Sequence, residues 1–255
     1  MERHITKNKR YKMKKDIIIL AAGIGSRLRP LTDKVPKTMV RVNGEAIIER
    51  LLKQIDAIDN VDINIKIASG YKSEILKNFV NELGLSVNIE FVENHDYDTT
   101  NNMYSLHMVL SALEEDNDIV IINADCFYDN SIVEQIIAST GNYIAIDKGI
   151  FNEESMKVKT NNSKKVIGMS KTLEEGSEVY VSIDIYAFDK TCRNRIFQIS
   201  SEIISNGELN SWTEVAINLL AQEENSNIKC LNITGKRWME IDNHMDLKNA
   251  ENIFN

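Results

Sequence analysis

The run DIIILAA at 16–22 is apolar at every position after the first and stops at Gly23, the pattern of a central strand buried on both faces. Further β-like runs at 63–68, 87–92, 119–123 and 143–147 alternate with segments of 3.6-residue apolar periodicity at 46–58, 73–83, 102–113 and 131–139. Alternation at this spacing predicts an α/β fold with a mainly parallel sheet, right-handed crossovers and helices on both faces. Beyond Gly149 the pattern changes. Runs at 156–160, 164–169 and 179–188 read as strands joined by turns at 161–163 and 174–177, which predicts a small antiparallel C-terminal elaboration. Helices at about 190–204 and 212–223, short strands at 228–233 and 237–241, and a helix from about 243 complete the chain. No repeat or low-complexity linker interrupts residues 16–255, so a single domain is expected there.

Composition narrows the function classes. Of 255 residues, 43% are hydrophobic and 27% charged, with 11 Gly and 2 Pro, which excludes disordered and collagen-like chains. The net charge of -8 is unevenly spread, because the first sixteen residues carry seven Lys/Arg against two acids. Residues 1–15 therefore read as a basic arm, disordered or added to the natural chain, with Met13 a candidate start. The body that follows is strongly acidic and should repel nucleic acid and anionic membrane surfaces. Cys126, Cys192 and Cys230 are too few and scattered for a disulfide framework or a thiolate metal site. With no apolar run long enough to span a bilayer and no signal-peptide pattern, the expected compartment is the cytoplasm.

Within the acidic body, residues 23–41 carry five basic side chains and one acid, just past the buried strand. Glycines there leave backbone N–H groups free to nest an anion, so Gly23, Gly25, Arg27 and Lys37 point to a polyphosphate. The spacing fits neither the dinucleotide-binding fingerprint nor the Walker A loop. Paired Asn101 and Asn102 at a helix start can cap it and also offer amides to a ligand. Asp125 ends an apolar strand, at the sheet edge where open α/β folds bind ligands. In WMEID at 238–242, strand alternation puts Glu240 and Asp242 on one face, and carboxylates from two distant segments suit Mg²⁺.

The string LAAGIGSRLRPLTDKVPK at 20–37 resembles the signature of the nucleoside-diphospho-sugar-type nucleotidyltransferases. The resemblance implies a Rossmann-like nucleotide-binding fold whose loop, from Leu20, Ala21 and Ala22 through Gly23, Gly25 and Ser26, wraps a nucleoside triphosphate. Arg27 would hold the β- and γ-phosphates and Lys37 the α-phosphate region, with Gly70 and Tyr71 a second contact point near the base. ENHDYDTTNNMYSL at 93–106 is similar to a segment of phosphocholine and 2-aminoethylphosphonate cytidylyltransferases, which implies ligand roles for Asn102 and Ser105. The family pattern gives the metal to Asp125 and Asp242, with Glu240 in support.

The expected reaction is attack of a phosphate or phosphonate oxygen on the α-phosphorus, an already anionic nucleophile that needs no general base. His4, His95, His107 and His244 are accordingly read as surface or structural residues. IDK at 146–148 and the stretch 152–158 resemble the acceptor region of the same enzymes. Lys148 is the candidate for the acceptor phosphate, and Asp147, Glu153 or Glu154 for an amine. Tyr97, Tyr104, Tyr186 and Trp212 are candidates for a trimethylammonium group. The Trp that phosphocholine enzymes carry in the middle region is replaced near Ser155, which weighs against a choline cage. The leading expectation is a Mg²⁺-dependent cytidylyltransferase joining CMP from CTP to a small phosphorylated or phosphonylated amino alcohol, such as phosphocholine or 2-aminoethylphosphonate. Its partners would be CTP and that acceptor, without nucleic acid or membrane insertion, and an oligomer is open. The alternatives are a sugar-1-phosphate nucleotidyltransferase using UTP, dTTP or CTP, and a non-catalytic nucleotide-sensing module.

Overall fold

The computed structural model describes residues 12–149 and 151–255. The chain runs β1 (Met13–Ala21), β2 (Arg41–Val42), β3 (Glu45–Ala46), α1 (Ile47–Asp56), β4 (Val61–Ser69), α2 (Ser73–Glu82), β5 (Asn88–Glu93), α3 (Asn102–Ser111) and β6 (Asp118–Asn123). It continues with β7 (Cys126–Tyr128), α4 (Asn130–Ala138), β8 (Tyr143–Asp147), β9 (Lys157–Thr160), β10 (Val166–Ser170) and β11 (Val179–Phe188). The C-terminal part holds α5 (Lys190–Ser205), α6 (Thr213–Gln222), β12 (Lys229–Asn232), β13 (Trp238–Glu240) and α7 (His244–Ile253).

The main sheet has the order β10-β9-β11-β6-β1-β4-β5, with β8 and β12 attached through β11. Strands β1, β4, β5 and β6 are mutually parallel, as the βα alternation requires. The α/β fold class, mainly parallel with helices on both faces, is the one read from the sequence. Two details differ. The antiparallel part is no separate layer: β11 pairs β6 directly and carries the same sheet onward. β8, which the alternation grouped with the parallel strands, is antiparallel to β11 and parallel to β12. Mixed sheets of this kind are common, and hydrophobic periodicity carries no strand-order information.

β1 shows why the core divides in two. Strand alternation sends Ile17, Ile19 and Ala21 to one face, against α1, α2 and α4. Ile18 and Leu20 go to the other, against α3, α5 and α6. A third, smaller cluster joins Leu28, Val40, Val42, Ile47, Phe127, Ile241 and Ala250, and so clamps the Gly-rich loop to α7. The strand begins three residues earlier than Asp16, taking in Met13, Lys14 and Lys15, which composition assigned to the basic arm. Lys15 is buried and its ammonium donates to the Ser139 carbonyl at 2.5 Å, so it is a strand residue rather than a solvated one. The rest of the arm, residues 1–11, lies outside the described residues. No helix among the described residues is long and apolar enough to cross a membrane.

Candidate active site

At the carboxyl ends of β1 and β6 lies a cavity of about 320 Å³. Its floor is the loop after β1. Gly25 has φ +65°, and a Cβ there would stand 2.7 Å from Lys37 Cβ, so only glycine lets the loop fold back onto Lys37. Thr32 Oγ1 donates to the Gly25 carbonyl at 2.9 Å and closes that return. At Gly23 a Cβ would meet nothing within 4 Å, and the position lines the cavity beside Leu20, Ala22, Ser26 and Arg27. Ala21 does not line it, because alternation turns this residue into the opposite core face.

The acidic wall is built by pairing distant segments. β7, a strand the sequence reading missed, forms an antiparallel ladder with β13 in which Cys126 faces Glu240. The Ile241 N–H donates to the Asp125 carbonyl at 2.9 Å, so the ladder carries Asp242 to Asp125. The Asp242 and Asn243 amides both donate to Asp246 Oδ2, fixing the turn into α7. As a result, one carboxylate oxygen from each of Asp125, Glu240 and Asp242 lies within 4.8 Å of the others. Lys37 Nζ donates to Asp125 Oδ2 at 2.9 Å and to Asp242 Oδ1 at 2.6 Å, and Arg27 donates to Asp242 Oδ2 at 2.7 Å.

Protonation follows from this arrangement. Burial works against the Lys37 ammonium, but Asp125 and Asp242 outweigh it and hold its pKa above the ordinary value. Burial likewise opposes the Asp242 carboxylate, yet Lys37 and Arg27 bring it below the usual range. Glu240 has no such cation at contact distance. Burial, then repulsion from Asp125 and Asp242, pushes it up to about 8. The donor set is all oxygen from acidic side chains, and Asn123 Oδ1 is buried nearby without a partner among the described residues. These groups fit a hard divalent cation such as Mg²⁺.

The opposite wall is α3 and the loop before it. Asn101 caps the helix, its side chain accepting from the Asn102 amide at 2.8 Å. Asn102 Oδ1 instead accepts the Thr213 N–H at 2.8 Å, and Asn102 and Ser105 both line the cavity. Gly70 and Tyr71 stand behind this wall. A Cβ at Gly70 would lie 2.7 Å from Tyr97 Cβ, and Tyr71 donates through its hydroxyl to the Thr32 carbonyl at 3.1 Å. Tyr97 is the aromatic residue that reaches the cavity.

The residues assigned to the acceptor do not converge. Asp147 Oδ2 accepts from the Trp238 indole at 2.9 Å and Oδ1 from the Lys148 amide, so its carboxylate anchors β13, while the Lys148 side chain is exposed. Glu153 lines a separate open depression with Phe151, Asn152, Lys157, Lys171 and Thr172. Trp212 faces the Lys171 ammonium, 4.7 Å from the ring centre, and Tyr104 lines neither cavity. The sequence reading missed Asp184 and Glu214. Asp184 sits in a bulge of β11 at φ +62°, with a carboxylate oxygen within 4.8 Å of ligand atoms on Asp125 and Cys126. The Tyr186 hydroxyl lies 3.0 Å from Asp184 Oδ1 and 2.9 Å from Glu214 Oε1. Burial, with repulsion among Asp184, Glu214, Glu240 and Asp125, pushes the Asp184 carboxyl well up, and burial raises Glu214. A charged residue inside the apolar run 179–188 was the available signal.

The chain is thus an α/β protein in which a glycine-bearing loop after the first strand, a Lys/Arg pair and a carboxylate triad meet at the edge of the parallel strands. The chain belongs to the nucleotidyl transferase family, whose pattern matches residues 16–254. It is 29% identical to the CTP:phosphoglutamine cytidylyltransferase of Campylobacter jejuni over 91% of this chain and 97% of that one. It is 38% identical to the choline-phosphate cytidylyltransferase of Streptococcus pneumoniae over 48% of this chain and 50% of that one. The bifunctional protein GlmU of Methanococcus aeolicus matches at 27% identity over 92% of the chain, which spans about half, 53%, of GlmU. The solved CTP:phosphocholine cytidylyltransferase of S. pneumoniae shares the fold, with a TM-score of 0.76 at 23% identity over 95% of this chain and all of that one.

Proposed function

We propose that the chain is a Mg²⁺-dependent cytidylyltransferase that transfers CMP from CTP to a small phosphorylated or phosphonylated amino alcohol, releasing pyrophosphate. The observation that carries this reading is Lys37 held between Asp125 and Asp242, with Arg27 on the outer oxygen of Asp242. These two cations and two carboxylates are the groups that must exchange partners when a triphosphate enters. Arg27 and Lys37 turn to phosphate oxygens, Arg27 toward the β- and γ-phosphates and Lys37 toward the α-phosphate. Asp125 and Asp242, with Glu240 in support, would hold the Mg²⁺, which would supply neutralisation of charge developing on the phosphates. Without the cation, the Asp125 and Asp242 carboxylates beside a triphosphate would repel it.

The acceptor brings its own anionic oxygen, so the protein's task is alignment and charge balance rather than proton removal. Its amine end is assigned here to Asp184 and Glu214. The Tyr186 hydroxyl lies between two carboxyl groups that Ser182 and Asn123 also meet, and a cationic ammonium group would offset negative charge on the pair. Lys171, whose charge acts on Glu240, is better placed than Lys148 for the acceptor phosphate. Relatives named for CTP and for phosphoglutamine or choline phosphate support this class of substrates.

The test is pyrophosphate release with CTP, UTP and dTTP crossed against phosphocholine, phosphoethanolamine, 2-aminoethylphosphonate and glucose-1-phosphate. Release with CTP and a zwitterionic acceptor is expected. Release only with UTP or dTTP and the sugar phosphate would overturn the reading.

A further inference from the structure

The end of β10 is held by a buried ammonium that pairs with no carboxylate among the described residues. Lys157, the first residue of β9, is 7% exposed and lies opposite Ser170 in the β9–β10 ladder. Its three N–H bonds have three backbone carbonyls in reach: Lys171 O at 2.5 Å, Asn152 O at 2.9 Å and Ser155 O at 3.4 Å. Burying a charge is costly, and a Met of similar length would fill the same space without that cost. What the ammonium adds is a link between two segments, the turn at 152–155 and the residue that follows β10.

Each of the linked segments carries one member of an ion pair. Asn152 Oδ1 accepts the Glu154 and Ser155 N–H groups at 2.9 and 2.8 Å, which closes the turn that bears Glu154. Glu154 Oε2 accepts from Lys171 Nζ at 3.1 Å, and the same ammonium stands 4.7 Å from the centre of the Trp212 ring. Lys171 is therefore fixed at its backbone by Lys157 and at its head by Glu154 and Trp212. The Glu154 side chain is 71% exposed, so this ion pair is weak and another anion can take its place at Lys171.

We propose that Lys157 is a positioning residue for the acceptor. By holding the Lys171 carbonyl and the turn that bears Glu154, it sets the Lys171 ammonium where the acceptor's phosphate or phosphonate replaces Glu154 as its anionic partner. The inference rests on the assignment of the acceptor phosphate to Lys171 above. The Lys157 ammonium is itself engaged by carbonyls, so it acts through Lys171 and not on the acceptor directly. Such a role weakens one substrate selectively, because the Gly-rich loop, Arg27 and Lys37 lie on other segments of the chain.

The test is a double-mutant cycle on Lys157→Met and Lys171→Met, with steady-state kinetics in which CTP and the acceptor are varied in turn. The acceptor is whichever of phosphocholine, phosphoethanolamine and 2-aminoethylphosphonate the wild type uses. Lys157→Met is expected to raise the acceptor KM by about tenfold, equivalent to one misplaced charge-assisted hydrogen bond, with the CTP KM unchanged. Lys171→Met should raise the same KM at least as much, and the double variant no further than Lys171→Met alone, since the residue being positioned is then gone. Lys157→Gln, which keeps N–H donors for the carbonyls, should recover part of the loss and serves in place of Lys157→Met if that variant does not fold. An unchanged acceptor KM, an equal rise in both KM values, effects that add in full in the double variant, or a chain that folds with neither Met nor Gln at 157 would each overturn the positioning role. A wild-type acceptor KM in Lys171→Met contradicts instead the assignment of the acceptor phosphate, and a wild type that uses none of the three acceptors overturns the proposed reaction and this inference with it.

Discussion

Replacing Lys37 with Met removes the ammonium that bridges Asp125 and Asp242 while keeping a long apolar stem in place. The Lys37 side chain is 14% exposed and the two carboxylates are 26% and 22% exposed, so the pairs are partly screened. A charge-assisted hydrogen bond of this kind contributes about 1.5–3 kcal/mol when fully enclosed. Discounted for the water that reaches both acids, and for the Arg27 contact that Asp242 keeps, each bond contributes about 1 kcal/mol. The loss of both predicts a destabilisation of about 2 kcal/mol, or a fall in Tm of about 4–8 °C for a domain of this size. Differential scanning calorimetry measures it directly. The same change leaves Asp125, Asp242 and Glu240 with little to balance them, so Mg²⁺ should raise the Tm of Lys37→Met by more than that of the wild type. A variant that melts within about 1 °C of the wild type, with Mg²⁺ shifting both equally, would refute the charge coupling on which the site is built.

Asp125→Ala should lower turnover by at least about a hundredfold while the far-UV circular dichroism spectrum stays that of the wild type. For Glu240, whose pKa rises from 4.5 to about 8 in the fold, the folded state holds a proton that the unfolded chain has lost between those values. Stability measured in EDTA should therefore fall as pH rises toward 8, and Glu240→Gln should remove that slope. Tyr186→Phe takes away the hydroxyl shared by Asp184 and Glu214 and should raise the acceptor KM by about tenfold, leaving the CTP KM in place, as steady-state kinetics with each substrate varied will show.

Local signals in the chain decided much of this architecture. The unbroken apolar run of β1 announced a strand buried on both faces, and the helix readings, four of them from 3.6-residue periodicity, fall within a few residues of the seven α-helices among the described residues. The glycine-bearing loop and the meeting of Lys37, Asp125 and Asp242 were legible because each lies in a compact motif. What escaped depends on tertiary pairing. β7 is three residues long and exists as a strand because β13 comes to it from more than a hundred residues away. Asp184 lies inside the strand-like run 179–188, and the β11 bulge is what brings it near Asp125. Asp147 seemed free to meet an amine because nothing in its own segment shows that Trp238 will donate to it. The proposed acceptor end was therefore the least legible part, because its residues come from β11, α6 and β13 rather than from one motif.

The central claim is CMP transfer to a zwitterionic phosphate or phosphonate, and ³¹P NMR of the complete reaction tests it most directly. With CTP, Mg²⁺ and phosphocholine or 2-aminoethylphosphonate, the account predicts new coupled phosphorus resonances of a CDP-linked product or its phosphonate analogue, appearing one for one with pyrophosphate. It also predicts their absence when Asp125 is replaced by Ala. Product formation only from UTP or dTTP with a sugar phosphate, or pyrophosphate release that ignores the acceptor, would contradict it.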